Sequence, residues 1–290
     1  MTSRWIAVTA VAPLAWGANY VVIRQLLPPE LPLWGSALRA LPAAALLLLL
    51  ARALPRGGWW WRSAVLGVLN VGAFFLLIYL AAQALPSSIA ASVMALSPVA
   101  LAGAGWLLIG ERITPRVVIG GVSGIVGVLL LIGASSGSLS VRGLLASLGA
   151  LTLNGIGSVL AKKWSDGTPI LATTAWQMAV GGLLLGLVAV AVEGAPPEPT
   201  PEVVAGVAFV SVLGTALAFV CWFTGLAHLR AGQVGVIGLL NPVTGVLLGA
   251  MVAHESLTPL QWLGLTVALA GIGVANTRGA STSATAQPPT

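Results

Sequence analysis

The side chains that could do chemistry in this sequence are polar and aromatic residues placed singly inside long apolar runs. Neutral amides, hydroxyls and indoles can hydrogen-bond a small solute, and none of them changes its charge near neutral pH. A polar group deep in a membrane is costly unless it has a partner or a water-filled cavity. We therefore predict that seven of them line one substrate-binding space: Trp16, Asn19, Tyr79, Ser97, Asn154, Trp222 and Asn241. For each of them, a hydrogen bond or a packing contact between helices is the alternative role.

Arg39 and two prolines are further candidates. Arg39 is the one permanent charge clearly inside an apolar run. Its guanidinium could face an external vestibule and meet a substrate carboxylate, or it could extend to the outer headgroups. Pro98 and Pro242 lie in the middle of two other runs. Because a proline removes a helical hydrogen bond, we predict kinks there that free backbone oxygens near the membrane midplane, with packing as the alternative reason for the kinks.

The sequence lacks the residues that several other functions would require. No apolar run carries a central Asp or Glu, which disfavours cation–proton antiport by an embedded carboxylate, and no Lys and Arg cluster reaches the midplane to bind a sugar phosphate. The sequence also contains no Walker-type Gly-Lys-Ser/Thr motif, no metal-ligand spacing and no hydrolase triad that we can assemble. We predict that the protein is not an enzyme and uses no metal and no cofactor.

The elements that must position these residues are membrane-spanning helices. The chain has 290 residues, of which 58% are hydrophobic and 7% are charged, against roughly 25% charged in soluble domains. Its net charge is +6, but the basic residues are placed singly along the chain and form no patch, which argues against nucleic acid as a partner. Ten apolar runs have spanning length: 5–25, 33–53, 60–83, 86–109, 116–134, 143–161, 169–192, 203–227, 232–253 and 259–277. Residues 279–290 should form a disordered cytoplasmic tail.

Basic residues give the orientation, because cytoplasmic loops carry the excess of Lys and Arg. Ten of the 13 Lys and Arg residues fall on the side shared by the N-terminus and the even-numbered turns. The other side has Arg24 and Arg142, and Arg39 lies inside a span. We predict a multi-pass protein of the plasma (inner) membrane with both termini in the cytoplasm.

The chain also contains an internal repeat. Ser97-Pro98, Glu111, Thr114-Pro115, Gly120 and Gly127 recur 144 residues later as Asn241-Pro242, Glu255, Thr258-Pro259, Gly264 and Gly271. Earlier in each half the offset is 138, which pairs Arg39 with Gln177. Five spans are an odd number, so the second copy enters the membrane from the opposite side. The predicted fold is an all-α integral membrane protein with inverted five-helix repeats at 1–137 and 138–278.

Inverted repeats are typical of secondary transporters. The opening Trp16-Gly17-Ala18-Asn19-Tyr20 and the two blocks that end in Thr-Pro resemble the drug/metabolite transporter superfamily, specifically its EamA-type ten-helix exporters, over residues 4–277. The resemblance implies a plasma-membrane exporter of amino acids or related small metabolites, similar to the aromatic and neutral amino acid exporters. We expect alternating access, a small neutral or zwitterionic substrate, a lipid environment and a functional monomer. A multidrug exporter of the same superfamily is one alternative, and a channel or lipid scramblase is another.

Overall fold

The computed structural model describes residues 2–85, 93–132, 140–253 and 259–276 of the chain, and within them it contains helices and no strand. We number the helices by predicted span. They are α1 (Thr2–Leu26), α2 (Pro32–Ala51), α3 (Trp59–Ala84), α4 (Ser97–Ile109), α5 (Pro115–Ile132), α6 (Val141–Lys163), α7 (Ile170–Val192), α8 (Pro201–His228), α9a (Ala231–Ile237), α9b (Leu240–Ala253) and α10 (Pro259–Asn276). In the described part of the chain, α1, α2, α3, α6, α7 and α8 are long and apolar enough to cross a membrane.

The helix ends follow from local chemistry. Four helices begin at a proline, where the missing N–H would have no helical partner in any case: Pro32, Pro115, Pro201 and Pro259. The Ser140 and Thr200 hydroxyls accept hydrogen bonds from backbone N–H groups in the first turns of α6 and α8. Gly110 ends α4 with a φ of +67°, a backbone conformation that favours glycine.

Two spans contain a π-helical segment in equivalent places. In α3 it covers Val68–Gly72, and in α8 it covers Phe209–Leu217. A π segment widens the helix locally and is common at functional sites. Neither segment was expected from the hydrophobic pattern.

The helices pack with a pseudo-two-fold symmetry. Among the described residues, three of the main helix contacts join the same span of the two repeats: α2 with α7, α5 with α10, and α4 with α9a. The other main contacts come in matched pairs, such as α1 with α8 and α6 with α3, or α1 with α9b and α6 with α4. This arrangement confirms the predicted all-α fold of two inverted five-helix repeats.

Glycines form the contact between α5 and α10. A Cβ atom on Gly120 would lie 2.5 Å from the carbonyl oxygen of Gly271, and one on Gly127 would lie 2.6 Å from that of Gly264. These two contacts exchange under the repeat symmetry. Both helices lie at the edge of the bundle, where Val118, Val122 and Leu263 are among the exposed residues.

We call the membrane face with the N-terminus and the loops at 52–58, 110–114 and 164–169 the basic face, and the other the opposite face.

Several sequence predictions lie outside the described residues: the repeat boundary at 137/138, the tail at 279–290, and the repeat positions Glu255 and Thr258. They stay predictions.

Candidate functional site

A cavity lies where the two repeats meet, and it extends from the middle of the bundle toward the opposite face. Its volume is about 60 Å³. The residues that line it are Trp16, Asn19, Ile23, Arg39, Phe74, Ile78, Met94, Ser97, Leu151, Asn154, Trp222, Gly238 and Asn241. Six of the seven residues predicted to share one space are therefore placed around it. Whether they bind substrate stays a prediction.

Tyr79 is the seventh, and it lies elsewhere. Its hydroxyl donates a hydrogen bond of 2.6 Å to the carbonyl oxygen of Pro28, in the loop between α1 and α2. Its ring packs where a side chain on Gly35 would otherwise be. This geometry connects α3 to the α1–α2 loop, and a role of Tyr79 in substrate binding stays a prediction.

Two tryptophans form the aromatic wall of the cavity. The Trp16 indole donates a hydrogen bond of 3.0 Å to the carbonyl oxygen of Gly214, and the Trp222 indole donates one of 3.2 Å to the Ser158 hydroxyl. Their ring centroids are 5.1 Å apart at 57°. Since both indole N–H groups are bonded within the protein, the rings contribute mainly apolar surface to the cavity.

The proline positions are breaks between helical segments. Turns at 95–96 and 238–239 interrupt spans 4 and 9, so Pro98 and Pro242 lie in the first turns of α4 and α9b. Proline fits there because a first-turn N–H has no helical partner. Where the sequence predicted a kink, the structure has a discontinuous helix.

The two breaks meet at the cavity. The Ser97 hydroxyl donates a hydrogen bond of 3.2 Å to the carbonyl oxygen of Gly235 in α9a. A Cβ atom on Gly235 would lie 2.8 Å from Cα of Pro98, so glycine is needed for this approach. Ser97 and Asn241, which are equivalent in the repeat, both line the cavity.

Three asparagines bring unsatisfied amide atoms to the cavity wall. Among the described residues, Asn19 Oδ1, Asn154 Nδ2 and Asn241 Oδ1 are buried without a hydrogen-bond partner. A buried polar atom in this state costs about 1–3 kcal/mol. Because these three asparagines line the cavity, their amide groups can offer hydrogen-bond donors and acceptors to a polar solute.

Arg39 points into the protein and lines the cavity, with 5% of its surface exposed. Its Nε donates a hydrogen bond of 2.9 Å to the Thr215 hydroxyl, and Nη2 donates one of 3.3 Å to the Gly214 carbonyl oxygen, both in the π segment of α8. The guanidinium carbon lies 4.1 Å from the centroid of the Phe75 ring. The Arg39 side chain therefore does not extend to the outer headgroups.

An ion-paired cluster lies at the basic face, where several helices end. Glu111 pairs with Lys162 and accepts a hydrogen bond of 2.8 Å from the backbone N–H of Ala231. Lys162 also donates one of 2.6 Å to the carbonyl oxygen of Leu229. The cluster joins the basic-face ends of α4, α6, α8 and α9a.

Sequence reasoning missed the apolar part of the lining, which includes Ile23, Phe74, Ile78, Met94 and Leu151. No signal could have selected them, because apolar residues fill every span. Within the described part of the chain, no group of three His, Cys, Asp or Glu side chains could hold a metal ion.

Comparison with known proteins gives a consistent result. The family model described as the EamA-like transporter family matches twice, over residues 3–133 and 141–277. Protein PecM of Dickeya dadantii is 34% identical over 88% of this chain and 86% of its own length. A probable amino-acid metabolite efflux pump of Salmonella typhimurium is 24% identical over 89% and 90% of the two chains. One solved crystal structure shares the fold, with a TM-score of 0.76, 20% identity and coverage of 94% of this chain and 96% of that chain.

Proposed function

Because this chain belongs to the EamA-like transporter family, we propose that it exports small neutral or zwitterionic metabolites, amino acids foremost, by alternating access. Transport across a membrane comes with the family. The substrate class, the direction and the mechanism are our proposal. We further propose that it works as a monomer in the inner membrane with both termini in the cytoplasm.

The chemistry of the cavity supports this substrate class. Its polar side chains are mostly neutral, its walls are aromatic and aliphatic, and a zwitterion needs no net charge to be compensated there. Amide oxygens such as those of Asn19 and Asn241, two of the lining residues, can accept hydrogen bonds from an ammonium group. A related protein of similar length is named a probable amino-acid metabolite efflux pump, which agrees with this choice.

The packing supports alternating access. The cavity lies on the pseudo-two-fold axis between halves of opposite orientation, which is where inverted-repeat transporters bind substrate. In this conformation the cavity extends toward the opposite face, while the Glu111–Lys162 ion pair joins helix ends at the basic face. If one half rocked against the other, the cavity would open toward the basic face and close toward the opposite face.

Counterflow in proteoliposomes tests the proposal. Vesicles preloaded with unlabelled phenylalanine or leucine should accumulate the labelled amino acid transiently, and the initial rate should saturate. A linear, non-saturating flux would instead indicate the channel or scramblase alternative. Competition by cationic dyes, with none by amino acids, would indicate the multidrug alternative.

A further inference from the structure

We propose that a groove between α3 and α6 binds one anionic phospholipid, with an acyl chain in the groove and the lipid phosphate at Arg142. The groove shares no lining residue with the cavity of the proposed transport site, so this inference does not depend on transport. The evidence is the lining of the groove, the charge at its end, and a comparison with the equivalent place in the other repeat.

The groove runs from the opposite face into the membrane along two antiparallel helices. The residues that line it are Leu77, Leu80, Gln83, Ala84, Arg142, Leu145, Ala146 and Gly149. Between Arg142 and Gly149 it follows α6 for about 10 Å at 1.5 Å per residue, which is roughly two thirds of one leaflet of the hydrocarbon core. Its volume is about 640 Å³. Leu80 and Leu145 are exposed along it, so this largely aliphatic groove faces lipid and suits a hydrocarbon chain.

Arg142 supplies a positive charge at the end of the groove that lies near the opposite face. It is the second residue of α6, it is exposed, and it forms no ion pair with the described acidic residues. A guanidinium at a helix end lies at the level of the headgroups, where its parallel N–H groups can bind a phosphate. An anionic phospholipid complements this charge, whereas a zwitterionic one brings its own ammonium group.

The equivalent place in the other repeat lies at the basic face, between α1 and α8. The offset of 138 makes Arg4 the counterpart of Arg142. The helices α3 and α8 end at Ala84 and His228, which are 144 residues apart. Each of these two residues is followed by a leucine in an extended conformation. The two places can therefore be compared residue by residue.

Aromatic rings fill this place in one repeat and are missing in the other. At the basic face, Trp5 stacks on His228 with ring centroids 3.6 Å apart, and the guanidinium of Arg4 lies 5.1 Å from the Trp5 centroid. At the opposite face the counterparts of the two rings are Gly143 and Ala84, and a Cβ atom on Gly143 would lie 3.0 Å from that of Ala84. The helices thus meet at the same point in both repeats. Where the rings are replaced by small residues, the structure has a groove beside an arginine.

Two variants test the charge and the groove separately. Arg142→Gln removes the charge. Ala84→Trp places an indole over the groove, and Ala84 is exposed, so the ring need not enter the core. Arg24→Gln is the matched control, because Arg24 is exposed on the same face and does not line the groove. Arg142→Lys keeps the charge.

Native mass spectrometry of the purified full chain measures lipid retention, with phosphatidylglycerol and phosphatidylcholine of identical acyl chains as probes. The wild type should retain one phosphatidylglycerol and prefer it about fivefold, the size expected for one arginine beside an anionic headgroup. Arg142→Gln should remove this preference, and Ala84→Trp should lower the retention of both lipids severalfold. Arg142→Lys and Arg24→Gln should stay near the wild type.

Several outcomes overturn the proposal. They are equal retention of the two lipids by the wild type, a preference that persists in Arg142→Gln, and unchanged retention in Ala84→Trp. If Ala84→Trp does not fold, Leu80→Trp takes its place under the same criterion. Loss of the preference in Arg24→Gln would show that the charge of the whole face, and not the groove, attracts the lipid. A dimer that dissociates in Ala84→Trp would assign the groove to a second copy of the chain.

Discussion

At the scale of single residues, an unsatisfied amide atom beside a cavity distinguishes a binding role from a structural one. Asn154 Nδ2 has no hydrogen-bond partner among the described residues, so Asn154→Ala removes no bond of that atom. We expect the unfolding temperature of this variant in detergent to stay near that of the wild type. Its transport affinity should fall roughly threefold to tenfold, as for one lost hydrogen bond to the substrate.

Two control variants separate a loss of substrate binding from a loss of stability. Asn276→Ala also removes an unsatisfied amide oxygen, but from α10, away from the cavity, and transport should not change. Tyr79→Phe removes the hydrogen bond to Pro28 and should cost about 1 kcal/mol of stability without altering substrate affinity. Wild-type affinity in Asn154→Ala would exclude that residue from the site.

A second residue-scale prediction concerns Asp166, in the loop between α6 and α7. Hydrogen bonds from the Thr168 hydroxyl, and then from Trp59 and Arg62, lower the pKa of the Asp166 carboxyl from 3.8 to about 2. The pKa of this carboxyl is lower in the folded protein than in the unfolded one. The ionised carboxylate therefore stabilises the fold fully at pH values above its ordinary pKa, and this stabilisation is lost as the pH falls through about 2.

Asp166→Asn should therefore unfold at a lower temperature than the wild type at about pH 6, and the difference in unfolding free energy should shrink to roughly a third at about pH 2.5. Glu198→Gln removes a charge from an exposed loop and serves as the control. A difference that persists unchanged at the low pH would show that the carboxylate charge is not what stabilises this loop.

At the scale of elements, the α5–α10 pair depends on close backbone approach. A Cβ atom on Gly271 would lie 2.6 Å from the carbonyl oxygen of Gly120 and 2.9 Å from the backbone nitrogen of Gly124. Backbone atoms cannot move aside as a flexible side chain can, so the helices would have to separate. We expect Gly271→Ala to cost about 1–3 kcal/mol of stability in detergent.

The matched control lies on the same helix. Among the described residues, no atom beyond the neighbouring backbone of the same helix lies within 4 Å of the place where a Cβ on Gly273 would be. Gly273→Ala should therefore be neutral or stabilise by up to about 1 kcal/mol. Thermal unfolding of the two variants, measured side by side, decides whether this contact holds the helices together. Equal stability in both variants would contradict the proposed packing.

At the scale of the whole molecule, orientation is open to direct measurement. In a Cys221→Ser background, Pro196→Cys places a thiol on the exposed loop of the opposite face, and Ser165→Cys places one on the exposed loop of the basic face. If the basic face is cytoplasmic, an impermeant thiol reagent should label Cys at position 196 in intact cells and should label position 165 only after lysis. The reverse pattern would invert the proposed topology.

The sequence by itself determined the large-scale organisation of this protein. Apolar runs of spanning length predicted the helices, because the bilayer admits few other structures. The offsets of 138 and 144 revealed the two repeats, and the odd number of spans made them inverted. These features depend on the order of residues along the chain, so they could be read without coordinates.

Only the tertiary structure decided which polar residues share a space. Tyr79 and Asn154 are both polar residues inside spans, yet one hydrogen-bonds a loop and the other lines the cavity. The depth of a residue can be counted along a helix, but the face it presents depends on how the helices rotate and pack. For the same reason, the bonds of Arg39 to the π segment of α8 could not be predicted: they join residues 176 and 175 positions apart, and the local widening of α8 leaves no signal in its apolar sequence.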